Sequence, residues 1–318
     1  NADAVLEKVV SDREAGPARP KAGLLQALAR ARAAAAGGSA NSYEQALERQ
    51  IREFPDDPTA VEARWLLGSL ESSRGRREPA MELWKAVPID SPRWIQARVA
   101  VVDASRHALE DRVAAEEREG LEGVFAQAQT FVEESLELAR TRPESDRADL
   151  LIAESRLNLV PIVGKPATAR DAADRCLTMN LTTSQRYRAR LARMIATAAQ
   201  GRYVEAEREA QQHSQWADPN DRAGLLDAVR QIDLSAAASE TDLPQRRFGQ
   251  VERTLIQPLL QEPSPSDDLR NELTFRLARA MLFQGDVQTA RTTLQNWSPT
   301  PTRVDDRFLK DLADAYFR

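Results

Sequence analysis

The chain has 318 residues, 42% of them hydrophobic and 29% charged, with a formal net charge of −5. That balance is ordinary for a soluble protein, and the negative total argues against a nucleic-acid partner, because neutralising phosphates takes a basic face. Cys176 is the only cysteine, which excludes an intrachain disulfide and a cysteine metal cage, and no apolar run nears the ~20 residues that span a bilayer.

Alanine, leucine, arginine and glutamate dominate the chain, and all four favour helices. Alternating β-branched and aromatic runs are almost absent, so strands are not expected. The fold class read from the residues is all-α, with helices of a dozen or so residues separated by Gly/Pro breaks.

Residues 1–60 open on "NADAVLEK" without a methionine. That start fits a trimmed N-terminus, including one left by signal-peptide removal. Cytoplasm and periplasm both stay open, with periplasm expected if a signal peptide precedes residue 1. This first stretch carries helices and a weak repeat, "YEQALERQIREFPDDP" from Tyr43 to Pro58. Residues 61–94 form the clearest unit, with Leu67, Gly68, Gly75, Ala80, Trp84 and Pro92 at fixed offsets.

Residues 95–149 are more irregular. A helix runs from Ser91 to about Glu110, but the next hairpin glycine is missing. An expanded connection containing "EEREG" precedes an amphipathic run from Leu121 to Arg140. Residues 150–220 hold two hairpins, one around Leu157, Gly164, Ala169 and Cys176, the other around Met194, Gly201, Ala206 and Ala210. Residues 221–304 hold two more. The first pairs Arg222–Ala238 with Leu243–Leu260, with Pro258 disturbing its end; the second centres on Leu277, Ala278, Gly285, Ala290, Leu294 and Trp297. Residues 305–318 read as a capping helix whose Phe308, Leu309, Leu312, Tyr316 and Phe317 stay apolar.

One interval recurs four times: Gly75 to Ala80, Gly164 to Ala169, Gly201 to Ala206 and Gly285 to Ala290. Together with the Leu-Gly pair at 67–68, the aromatic Trp84 and the closing Pro92, this pattern resembles the tetratricopeptide repeat (TPR), a helical hairpin of about 34 residues. The unit 61–94 departs from it at Arg64 and Glu71, where the family usually has aromatics. "FPDDPTAVEARWLLG" is similar to repeats of bacterial cell-envelope TPR proteins. The resemblance implies one continuous right-handed α-solenoid of about six or seven hairpins. Physically, small residues on facing helices let the backbones approach while large neighbours fill the space beside the crossing. The inter-helix glycine takes the left-handed conformation that ends the first helix.

The chemistry-bearing residues are few. His107 pairs with Glu110 and His213 with Glu209 at helical spacing, but two ligands do not make a metal site. Gly164-Lys165-Pro166 lacks the rest of a phosphate loop. Cys176 reads as a buried thiol and the run Glu116 to Glu122 as a solvated face. No catalytic residue, cofactor or metal is expected. Lysine is scarce, five of the 44 basic residues, so arginine carries nearly all the positive charge; GC-rich codon usage is the plainer reading, and an arginine-rich groove that suits acidic segments is the functional one.

The TPR resemblance implies a concave wall lined by the second, fifth, ninth and twelfth residues of each unit. Carried over, it puts Glu62, Trp65 and Ser69 on that wall in the clearest unit, then Asp103 and Arg106, then Glu154 and Asn158, then Arg188, and finally Phe275 and Arg279. Trp65 reads equally as a ligand anchor or as packing against the neighbouring hairpin. Glu154 stands where carboxylate-clamping relatives have lysine, which argues against that function. The expectation is a non-enzymatic scaffold that binds a protein or peptide, with self-association a further expectation and no membrane insertion. The alternatives are a structural segment of a bacterial envelope or secretion assembly, and a helical accessory region of an enzyme whose catalytic domain lies elsewhere.

Overall fold

The computed structural model describes residues 2–37, 39–214, 224–226, 228–229, 232, 243–261 and 267–295. The described residues are helical with short connections, and none of them is in a strand. The capping helix expected at 305–318, Trp297 and most of Arg222–Ala238 lie outside them. The chain divides into two compact units, Asn1–Gly164 and Lys165–Arg318, and the division falls within the 150–220 stretch.

The first unit contains α1 (Ala2–Ser11), α2 (Ala18–Ala35), α3 (Ala40–Glu53), α4 (Pro58–Ser73), α5 (Arg77–Lys85), α6 (Trp94–Ala114), α7 (Leu121–Leu138) and α8 (Glu144–Leu157). Each packs on the next along the chain; α2 also touches α4, and α6 touches α8. The second unit contains α9 (Pro166–Leu177), α10 (Thr183–Ala199), α11 (Tyr203–Ser214), α12 (Leu243–Leu260), α13 (Asp267–Phe283) and α14 (Val287–Gln295), again with each packed on its successor. Pro258 does not end α12, which continues to Leu260.

The recurring glycine has the expected cause at three places. Gly75, Gly201 and Gly285 have φ of 77°, 76° and 81°, a region where only glycine sits without a Cβ penalty. At each, two backbone bonds close the helix end: Gly75 N–H donates to Ser72 O (3.0 Å) and Arg76 N–H to Glu71 O (2.9 Å). The same pair recurs at Gly201/Arg202 and at Gly285/Asp286. This is the Schellman arrangement, which satisfies carbonyls that a helix end otherwise leaves open. The glycine missing after α6 has a substitute. Glu116 has φ 60°, and its N–H donates to Val113 O while Glu117 N–H donates to Arg112 O (2.9 Å). A glutamate thus holds the glycine position, and the added residues up to Gly120 form the longer connection.

Gly164 departs from its three counterparts. It is not among the positive-φ glycines; Ile162 takes φ 74° instead. A Cβ on Gly164 would come within 2.6 Å of the Asn158 carbonyl oxygen, so glycine is required there by close approach. The alanine five residues on is fully buried in all four cases: Ala80, Ala169, Ala206 and Ala290.

The small residue at Gly68 is used differently from the expected backbone crossing. A Cβ there would lie 2.7 Å from Cδ1 of Trp84, so the glycine makes room for an indole. Gly23 of α2 does the same for Gln50 of α3, whose Cδ would stand 3.3 Å from the added carbon. Three clusters make up the core of the first unit among the described residues. One joins α2, α3 and α4 around Ala27, Leu47 and Leu67. One centres on Trp84, Trp94 and Val101, and one on Leu109, Phe125 and Leu157.

Candidate protein-binding surface

In the first unit, α4 presents Glu62, Trp65 and Ser69. Glu62 accepts two bonds from Arg93, at 2.7 Å from Nε to Oε2 and 2.7 Å from Nη2 to Oε1. This forked geometry fixes the guanidinium plane, and bonding to Glu62 raises the Arg93 pKa. The same guanidinium lies over the Trp65 ring, 5.7 Å from its centroid. Trp65 is half-buried; its ring stands 5.9 Å from that of Trp84 at 36°. Trp84 Nε1 donates to Trp65 O (3.3 Å), and Ser69 donates back to the same carbonyl (3.0 Å). Trp65 therefore packs within its own hairpin and beside α6, with part of its surface left to solvent.

On α6 the charged groups form a ladder. Arg106 Nη1 donates to both Glu110 oxygens at 2.6 and 2.8 Å, and its Nε stands 3.5 Å from Asp103 Oδ1. Asp103 also faces Arg156 of α8 at 3.3 Å. Arg106 is itself buried at 8% exposure, so its charge is engaged inside the unit, and Arg156 is the exposed cation at this place. His107 Nε2 lies 2.7 Å from Arg106 Nη2, which requires that nitrogen to accept. Desolvation and the Arg106 charge hold the His107 pKa below its ordinary value, against the opposing pull of Glu110 and Asp103.

Glu154 of α8 and Asn158, which caps its C-terminus, are buried at 5% and 0%. Asn158 Nδ2 donates to Glu154 O (2.9 Å). In the second unit Arg188 is exposed on α10, while Phe275 of α13 is buried at 5%. Arg279 lies 3.7 Å from Glu252 Oε1. Contact with a partner needs exposed atoms, which Asn158 does not offer and Glu154, Phe275 and Arg106 offer little of; Glu62, Trp65, Ser69, Asp103, Arg188 and Arg279 retain more.

Three features escaped sequence reasoning. Arg98 stacks between Trp94 (5.2 Å) and Phe131 (4.8 Å), with Arg142 over Trp94 at 5.3 Å; burial lowers the Arg98 pKa. The i,i+4 spacing of Trp94 and Arg98 was the available signal. Arg276 of α13 forms a buried pair with Glu252 of α12 at 2.8 Å and donates to Leu226 O at 3.0 Å; no local pattern marks a contact across 24 residues. Arg93, clamped between Glu62 and Trp65, lies just before α6 and carries no repeat signature.

The carboxylates spaced with the two histidines have other engagements. Glu110 is held by Arg106 as above, and Glu209 faces Arg193 at 3.3 Å. Desolvation raises the Glu209 pKa despite that cation. Among the described residues no three His, Cys, Asp or Glu side chains converge on a metal position. Cys176 is buried, and no helix among the described residues is long and apolar enough to cross a membrane. In comparisons with known proteins, no protein-family model matches the chain and no curated protein does.

Proposed function

We propose that this chain is a non-enzymatic scaffold whose helical hairpins stack as a TPR-like right-handed solenoid and hold a protein or peptide segment on the side chains of α4, α6 and α8. The observation that carries the reading is the recurrence of one hairpin device: a left-handed glycine closing one helix and, five residues on, a fully buried alanine in the next. A repeated device of this kind builds an extended surface from local contacts alone. The Glu62–Arg93–Trp65 arrangement then supplies an orientated guanidinium, a carboxylate and part of an aromatic face, the residue types that anchor peptides.

The test is affinity capture with the tagged chain, followed by a purified-component binding measurement on the recovered partner. Trp65→Ala and Arg156→Glu should weaken that binding at least about tenfold, as loss of an interface anchor does. Unchanged binding by both variants rejects the surface. A small-angle scattering profile of a compact sphere rejects the solenoid.

A second reading, a structural segment of a bacterial envelope or secretion assembly, is supported by the likeness of Phe54–Gly68 to envelope repeats. It predicts that the full-length protein fractionates with the envelope in a stable complex.

A further inference from the structure

The outward face of α2 is unlike that of any other helix in the first unit. Lys21, Leu25, Leu28 and Arg32 fall within a narrow stripe at 3.6-residue periodicity. All four are exposed, Leu25 by 55% and Leu28 by 39%. The whole of α2 contains no Asp or Glu. Its other two cations are engaged: Arg30 pairs with Asp3 at 3.0 Å, and Arg19 donates to Val10 O and lies over Phe54. Lys21 and Arg32 have no ion-pair partner among the described residues, in a protein whose arginines are otherwise heavily paired.

The internal repeat shows what such a face is shaped for. Gly23 of α2 and Gly68 of α4 play the same part, each admitting a side chain from the following helix. Aligning the two glycines puts Leu25 where α4 has Leu70. Leu70 is half-buried and packs against the cluster that Ala27, Ala46, Leu47, Ala63 and Leu67 form between α2, α3 and α4. Leu25 therefore stands at a position that, one hairpin later, is partly buried against a core cluster.

We infer that the Lys21–Leu25–Leu28–Arg32 stripe of α2 docks an acidic amphipathic α-helix supplied by another protein. Leucines at i and i+3 read an apolar stripe on the incoming helix, and the cations at either end select carboxylates flanking it. The charges disfavour a second copy of this chain. An antiparallel α2–α2 pairing sets Lys21 opposite Arg32, and a parallel one sets each cation opposite its own kind. Two leucines and two cations also make a narrow footprint for a lipid surface, which draws on broad apolar area and many basic residues. This surface is separate from the one on α4, α6 and α8, and the inference does not depend on that surface binding a partner.

The probe is a synthetic helical peptide with leucines along one face and glutamates on both sides, labelled for fluorescence anisotropy against the full chain. A lysine-flanked version and anionic phosphatidylglycerol vesicles serve as controls. The glutamate peptide should bind in a salt-sensitive manner and the lysine peptide at least about tenfold more weakly, as like-charge juxtaposition demands. Leu25→Ser with Leu28→Ser should cost about tenfold or more. Lys21→Glu with Arg32→Glu should transfer preference to the lysine peptide. These positions are exposed, and circular dichroism melting verifies that each variant folds. Trp65→Ala should leave this binding unchanged, which keeps the test separate from that of the α4–α6–α8 surface. Failure of the glutamate peptide to bind overturns the inference. So does equal binding of both peptides, or dependence on Leu25 and Leu28 only of vesicle binding or of dimer formation.

Discussion

The Trp84 indole occupies the place that a side chain on Gly68 would take: its Cδ1 would stand 2.7 Å from a Cβ there. The ring is held by its bond to Trp65 O and is only 5% exposed, so it has little freedom to withdraw. Gly68→Ala gains about 1 kcal/mol of helix propensity but incurs an overpacking cost of about 1–3 kcal/mol. We expect a net loss of up to about 2 kcal/mol. In a double-mutant cycle with Trp84→Leu, measured by urea denaturation, most of that cost should disappear.

Glu116 occupies the left-handed position that glycine holds in the other hairpins, and its side chain is exposed. Replacing it with glycine relieves the Cβ clash and loses no packing. Glu116→Gly should therefore stabilise the chain by about 1 kcal/mol, while Gly75→Ala should destabilise it by a similar amount. Thermal denaturation reads both, and a sign reversal in either refutes the account of these turns.

Arg276 and Glu252 are 6% and 3% exposed, and they satisfy one another with Leu226 O as a third partner. Removing Glu252 strands Arg276, and removing Arg276 leaves Glu252 only the longer approach of Arg279 at 3.7 Å. Glu252→Gln or Arg276→Met alone should cost about 3–5 kcal/mol, and a double apolar replacement of matched volume should cost far less. Denaturation midpoints of the three variants decide this.

Trp94 is fully buried with Arg98 and Arg142 against its ring, and its Nε1 has no hydrogen-bond partner among the described residues. Trp94→Phe keeps an aromatic face and deletes an unsatisfied donor, so it should cost under about 1.5 kcal/mol. Trp94→Ala should cost about 3–5 kcal/mol.

The folded-state pKa of His107 is lowered, and Nε2 accepts from Arg106. The unfolded chain therefore binds a proton more readily than the folded one. Stability should be full above the ordinary histidine pKa of about 6.5 and fall as the pH drops below it. His107→Gln should flatten that part of the stability–pH curve between about pH 7 and 5, leaving other slopes in place.

What could be read from the residues was whatever is set locally. Helix type, the hairpin breaks, and the burial of Ala80, Ala169, Ala206 and Ala290 follow from periodicity and spacing, because a tight turn imposes its needs on neighbours in sequence. Gly164 shows the limit: identical spacing hid a different backbone cause. The surface was read less well. Arg106 and Asn158, which the TPR resemblance assigned to a concave wall, are buried at 8% and 0% exposure. Pairings such as Arg93 with Glu62, 31 residues apart, depend on which helices meet, and one-dimensional periodicity does not encode that.

Because each helix leans mainly on its successor, most stabilising contacts join segments close together in the chain. Such short-range wiring lowers the entropic barrier to closing the necessary loops, so folding should be fast for a protein of this length. It also confines damage: an amide-exchange map of a variant weakened within one hairpin should show the loss concentrated there and in its immediate neighbours, fading with distance along the backbone.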